Sequence, residues 1–135
     1  MLTQLFVTSE RQGLHDFTSE VESVVHASNV SEGLCTLFLR HTSASLLIQE
    51  NADPSARQDL ERWLNRLVPE DDAFYTHRTE GGDDMPAHIK TALTAVSLSI
   101  PISEGRLVLG TWQGIYLWEH RRRGSAREVV VHIGA

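Results

Sequence analysis

A chain of 135 residues with 41% hydrophobic and 22% charged side chains can bury a core without disulfide staples, and it reads as one domain spanning 1–135. Its net charge of −6 and the single basic run Arg121-Arg122-Arg123 lack the basic stripe that phosphate-backbone binding requires, which excludes nucleic acid as an expected partner. No apolar run approaches the roughly 20 residues of a membrane-spanning helix, and no signal-peptide pattern opens the chain. The one cysteine, Cys35, lies inside an apolar run where a thiol serves as a core residue, so a cytoplasmic protein is expected.

The predicted elements begin with a strand over Leu2–Ser9, rich in apolar and β-branched residues. Ser19 and Glu22 then have capping-box spacing, with Thr18 as the alternative cap. Phe17, Val21, Val24 and Val25 recur at helical period. After a turn over Asn29–Gly33, Leu34–Leu39 and Ser45–Gln49 read as short strands. Asp53 and Pro54 supply an N-cap and a first-turn proline for a helix whose apolar stripe is Ala56, Leu60, Trp63, Leu64 and Leu67, ended by Pro69. A polar loop runs from Glu70 to Asp84, and a third helix extends from Asp84-Met85-Pro86 to about Ala95. Leu98–Ile102, Arg106–Leu109, Gly114–His120 and Glu128–Ile133 close the chain as strands punctuated by Gly105, Gly110 and Gly124. Helices interspersed among strands, with a closing antiparallel-type run, favour α+β over a doubly wound sheet. The absence of a glycine-rich loop after the first strand points the same way.

Four segments carry more functional side chains than folding requires. Arg40-His41-Thr42-Ser43-Ala44-Ser45 follows a buried strand directly and either faces a crevice or forms a hydroxyl-rich turn. Glu50 and Asn51 precede the cap Asp53 and have no evident structural role there. The stretch from His77 to His88 puts His77, Glu80, Asp83, Asp84 and His88 around paired glycines. Histidine and carboxylate are the usual ligands of zinc and related ions, although the spacing fits neither a zinc finger nor an HExxH helix; a solvated acidic loop is the alternative. Thr111, Trp112 and Gln113 sit between glycines, where they either stack on and read a flat ring or form a hairpin with a core tryptophan. His15, His26, His120 and His132 read as surface or packing residues.

The blocks HTSASLLIQENADPSARQDLERWL, YTHRTEGGDDMPAHIKTAL and LVLGTWQGIYLWEH resemble the signature blocks of the YjbQ-like family, often described as secondary thiamine-phosphate synthases. The likeness runs nearly the full chain, with the order and approximate spacing kept; Asp84 is not a strict match. It implies a small two-layer β-sandwich with about three helices, assembled as a homotrimer through its sheets. It also implies a site of His41, His77 and His88 holding a divalent metal (zinc, nickel, iron or magnesium). Glu50 and Glu80 join the histidines as catalytic residues, and Thr42, Ser43, Asn51, Asp83, Asp84, Thr111, Trp112 and Gln113 contact a small-molecule substrate. The implied activity joins hydroxymethylpyrimidine diphosphate to thiazole phosphate and releases pyrophosphate. Three histidines suit zinc, nickel or iron better than magnesium, so the synthase reaction reads as a secondary activity. A metal-dependent hydrolase with Glu50 or Glu80 as base, or a non-catalytic metal- or ligand-binding protein, are the competing readings.

Overall fold

The computed structural model describes residues 1–135. Its elements are β1 (Leu2–Thr8), β2 (Arg11–Asp16), α1 (Thr18–Ser28), β3 (Gly33–Leu39), β4 (Ala44–Glu50), α2 (Pro54–Leu67), α3 (Asp84–Leu93), β5 (Ser97–Ser103), β6 (Arg106–Leu107), β7 (Gln113–Arg123) and β8 (Ala126–Gly134). The strands form two antiparallel sheets, one ordered β1-β8-β3-β5-β6 and the other β2-β7-β4. The two sheets make the curled sandwich that an α+β reading with three helices implies.

The main core lies between the sheets. Cys35, Leu37 and Leu39 from β3, Val129, Val131 and Ile133 from β8, and Ile100 and Ile102 from β5 meet Ala44, Leu46, Ile115 and Leu117 of the smaller sheet. One edge is closed by Phe17 and by Val21, Val24 and Val25 of α1. Cys35 is fully buried, and burial pushes its thiol up to about 11, as expected of a core residue. The other face of the smaller sheet is covered by α2 and α3: Leu14, Tyr116 and Trp118 pack against Leu64 and Val68, with Leu60 and Ile89 beside them. β7 is therefore buried on both faces, which explains its near-continuous apolar run.

Three local differences from the sequence reading have physical causes. β2 carries no strand signal: its RQGLHD sequence has little β-branched content, and it pairs with β7 through a bulge between Arg11 and Gly13. Gly13 has φ 128°, and a Cβ there would lie 2.3 Å from the Glu61 carboxylate, whose Oε2 accepts the Leu14 N–H at 2.7 Å; only glycine fits. At α1 the cap is neither Ser19 nor Thr18. Asp16 Oδ1 accepts both the Thr18 N–H and its hydroxyl, at 2.9 and 2.6 Å. The α2 stripe is only half used, since Leu64 is buried while Trp63 and Leu67 stay more than half exposed. The Asp53 cap and the Pro54 start are as expected, with Asp53 accepting the Ser55 N–H at 2.9 Å. No helix is long and apolar enough to cross a membrane.

Candidate functional site

Asp84 opens α3 and His88 lies one turn on, so the two share a face. The preceding loop folds His77 back onto them. Asp84 Oδ2 is 2.7 Å from His77 Nε2 and 3.0 Å from His88 Nε2. The two rings are 5.4 Å apart at 58°. The three ligand atoms lie within 4.8 Å of one another; a tetrahedral zinc ion, which holds its ligands about 3.3 Å apart, would draw them together. The donor set is two imidazoles and one carboxylate, a combination that leaves coordination positions open.

The tautomer of His88 is set from outside. Its Nδ1 lies 3.0 Å from the Thr42 carbonyl, which can only accept, so Nδ1 carries the proton. The Nε2 lone pair then faces a carboxylate oxygen, and a cation between them, proton or metal, resolves the repulsion. An outer hydrogen bond that fixes the free nitrogen in this way is the usual support of a metal-ligating histidine.

Arg121 of β7 clamps the carboxylates. Its Nη1 donates to Asp84 Oδ1 at 2.8 Å, its Nε to Asp83 Oδ2 at 3.1 Å and its Nη2 to the Glu80 carbonyl at 2.9 Å. The Arg122 N–H adds a bond to Asp83 at 2.9 Å. Burial would raise both aspartates, but these bonds, and for Asp84 the two histidines, hold each below the ordinary carboxylate range. Asp84 is thus anionic and only 5% exposed, as a ligand oxygen should be.

The other predicted site residues separate into two groups. His41 does not join the centre. Its Nε2 accepts the Glu128 N–H at 2.8 Å, which leaves the proton on Nδ1, 3.3 Å from the Arg127 guanidinium, so the ring is turned toward β8 and Asp84 stands beside His77 and His88 instead. Burial and the Arg127 charge lower its pKa and keep it neutral. Thr42 contributes its carbonyl. The Ser43 hydroxyl accepts from Arg127 at 3.0 Å. Glu80 supplies its carbonyl through Arg121, and its side chain is exposed.

Glu50, Asn51, Thr111, Trp112 and Gln113 lie at the opposite end of the β4/β7 ladder, where Glu50 pairs with Gln113 and Ala44 with Glu119. Seven residues of strand put the two ends about 20 Å apart. Glu50, Asn51 and Gln113 also have local roles. Glu50 accepts the Asp53 N–H at 3.2 Å, Asn51 donates to the Gln113 carbonyl at 3.4 Å, and Gln113 accepts the Gly110 N–H at 2.8 Å. Asn51, Thr111 and Gln113 still line a cleft of about 470 Å³ with Thr18 and His26. Trp112 is 64% exposed, so it is not a core tryptophan.

The YjbQ-like UPF0047 model matches residues 3–135. The chain belongs to the YjbQ-like UPF0047 family. It is 57% identical to a UPF0047 protein of Synechocystis sp. over 96% of this chain and 88% of that one. It is 44% identical to UPF0047 protein YjbQ of Escherichia coli O157:H7 over 93% and 91%. Among solved structures, a conserved hypothetical protein of Thermus thermophilus superposes with a TM-score of 0.86 at 36% identity, covering 98% of this chain and 99% of that one. A YbjQ-like protein of unknown function from Sulfolobus solfataricus P2 gives 0.87 at 25% identity, with 100% and 97% covered. The sandwich is therefore the UPF0047 fold.

Three residues of structural weight escape the sequence reading: Arg121, Glu119 and Arg127. Glu119 is fully buried between the sheets. Arg127 Nε donates to it at 2.8 Å and Ser9 Oγ at 2.5 Å. Burial would raise this carboxyl, yet the bonds from Arg127, Ser9 and the Arg121 N–H carry it below its ordinary value. The available signal was the charge in an otherwise buried strand: a Glu following Tyr116-Leu117-Trp118 needs a partner.

Proposed function

We propose that this UPF0047 protein is a divalent-metal enzyme acting on a small phosphorylated molecule, with His77, Asp84 and His88 as the metal ligands. The reaction to assay first is the joining of hydroxymethylpyrimidine diphosphate to thiazole phosphate with release of pyrophosphate, to which the family resemblance points. The observation that carries the reading is the His88 arrangement: Nδ1 is committed to the Thr42 carbonyl and Nε2 to a point shared with Asp84 and His77. These donors suit zinc, nickel or iron better than magnesium. A bound ion would supply Lewis acidity to the charge that gathers on a leaving diphosphate. The chain's own contribution is positional. Arg121 keeps Asp84 ionised and oriented, Thr42 fixes the His88 ring, and the exposed side of His77 leaves the site open to substrate.

A hydrolase is the second reading, and the arginines favour it. Arg121 is spent on Asp83 and Asp84, Arg122 pairs with Glu70 and Arg40 with Glu128 at 3.2 Å, which leaves Arg78 of the loop, bonded to the Ala73 carbonyl at 3.2 Å, to meet a diphosphate. Metal analysis of the purified protein, followed by pyrophosphate-release and phosphoesterase assays on wild type and His88→Ala, separates the readings. Metal at about one per chain with synthase turnover that His88→Ala abolishes supports the first. Phosphoesterase turnover alone supports the second, and a metal-free, inert protein refutes both.

Assembly belongs to the same proposal. The outer face of the five-stranded sheet exposes large apolar side chains among polar ones: Phe38 of β3 lies beside Val130 of β8, with Leu2, Phe6 and Leu34 also exposed, interleaved with Gln4, Thr36 and His132. A homotrimer packed through this face would cover it and would let one subunit's Trp112 end approach another's histidines.

A further inference from the structure

The side of α3 turned away from His88 faces a second polar cleft. Lys90 is two positions beyond His88, about 200° around the helix, and so projects on the far side from the metal ligands. It lines a cleft of about 330 Å³ between α2 and the β2/β7 pair, together with His120, Gln12, Glu61, Arg62 and Asn65. Two groups in its wall are buried and short of partners. The Lys90 ammonium, in a residue only 2% exposed, has one hydrogen bond, to Asn65 Oδ1 at 2.5 Å, and no carboxylate within ion-pair distance. An ammonium offers three donors, so two are left. His120 is 1% exposed. Its Nε2 is held by Ser45 Oγ at 2.8 Å, and its Nδ1 is buried with no partner. Buried polar groups are nearly always paired, and an unpaired buried cation is more costly still. Both deficits fall on one cleft.

We propose that this cleft binds a small organic carboxylate bearing a hydroxyl or amide group, at a site separate from the His77–Asp84–His88 centre. The carboxylate supplies the counter-charge that Lys90 lacks, with Arg62 at the mouth as a second cation. Glu61, whose Oε2 accepts the Leu14 N–H, places a negative charge on the same wall. A monoanion therefore fits better than a phosphate dianion. The neutral group of the ligand meets His120 Nδ1, which acts as donor or acceptor according to which way the Ser45 hydroxyl turns, and the Gln12 amide, whose Nε2 donates to the His120 carbonyl at 2.9 Å.

The test is a titration of the full-length protein with lactate, glycerate and inorganic phosphate, followed by imidazole ¹H–¹⁵N NMR. Saturable shifts of the His120 ring nitrogens with lactate or glycerate, with His77 and His88 unmoved, are expected. Binding should weaken at least tenfold in Lys90→Met. It should weaken severalfold in Arg62→Ala, an exposed position that leaves folding intact, and be unchanged in His88→Ala. No saturable shift at tens of millimolar, equal affinity in Arg62→Ala, shifts confined to His77 and His88, or binding of phosphate alone would each overturn the proposal.

Discussion

Replacing His120 by Gln should make the protein less sensitive to acid. The His120 ring is buried on the outer face of β7 beneath α3, against Trp118 at 5.5 Å. Its pKa is pushed down to about 3 from an ordinary 6.5, first by burial, then by the charges of Lys90 on α3 and Arg127 on β8. Glu61 and Arg62 of α2 face it across the cleft. The folded state keeps the ring neutral, while the unfolded chain takes up a proton below pH 6.5. Stability is therefore full above 6.5 and falls as pH drops toward 3, at up to about 1.4 kcal/mol per pH unit. Between pH 7.5 and 4.5 the His120 contribution is about 2.5 kcal/mol. That window stops well above the folded value, so the result barely depends on its exact position. Gln keeps a donor for Ser45 and does not titrate. Urea unfolding followed by tryptophan fluorescence, at fixed protein concentration and four pH values, should show wild type losing about 2.5 kcal/mol more than His120→Gln across the window. The other histidines and carboxylates titrate in both proteins and cancel in the difference. Parallel stability curves would refute a buried, neutral His120.

Metal content measured by elemental analysis should fall by more than tenfold in Asp84→Asn and in His88→Ala, whereas His41→Ala, whose ring accepts the Glu128 N–H, should retain wild-type metal. Glu119→Gln leaves the Arg127 guanidinium buried without its counter-charge and should cost about 3–5 kcal/mol in urea unfolding; a cost under about 1 kcal/mol would place the pair in solvent. Gly13→Ala meets both a positive φ and the Glu61 carboxylate, so a loss of about 1–3 kcal/mol is expected in the same assay. Phe38→Glu on the outer sheet face should convert a trimer to monomers by light scattering while the far-ultraviolet circular dichroism of the sandwich is kept, with a lower melting temperature because association no longer stabilises the native chain. A wild-type monomer, or a trimer that survives the change, would remove this face as the interface.

The strands and helices that the sequence announces are those whose signals are local. α2 carries its cap, its first-turn proline and its stop within one segment, and β3 and β4 are short apolar runs. β2 is hidden because its residues are polar. It is a strand only because β7 offers it an edge, and a register shift at Gly13 is needed to accept it. The α1 cap is misplaced for a related reason: Ser19 and Glu22 have the right spacing, but Asp16 precedes them at the end of that hidden strand and takes the Thr18 N–H first. The exposure of Trp63 and Leu67 is likewise invisible to periodicity, which shows that a helix has an apolar face but not how wide a surface lies beneath it.

Residue type is legible at the candidate site, and placement only partly so. His77, Asp84 and His88 lie within one segment, so loop and helix geometry alone brings them together. His41 belongs to a different segment, and its partners Glu128 and Arg127 are more than 80 positions away; no spacing rule could assign them. One limit is nonetheless present in the sequence. Thr42 precedes a strand that ends at Glu50, and at about 3.3 Å per residue a single chain cannot bring both ends of that strand to one small molecule. Trp112 and Gln113 pair with the Glu50 end and His88 bonds to the Thr42 end. A reaction that uses both blocks on one substrate therefore needs Trp112 from a second subunit, and the outer sheet face that exposes Leu2, Phe6, Leu34 and Phe38 is the surface through which that subunit would be held.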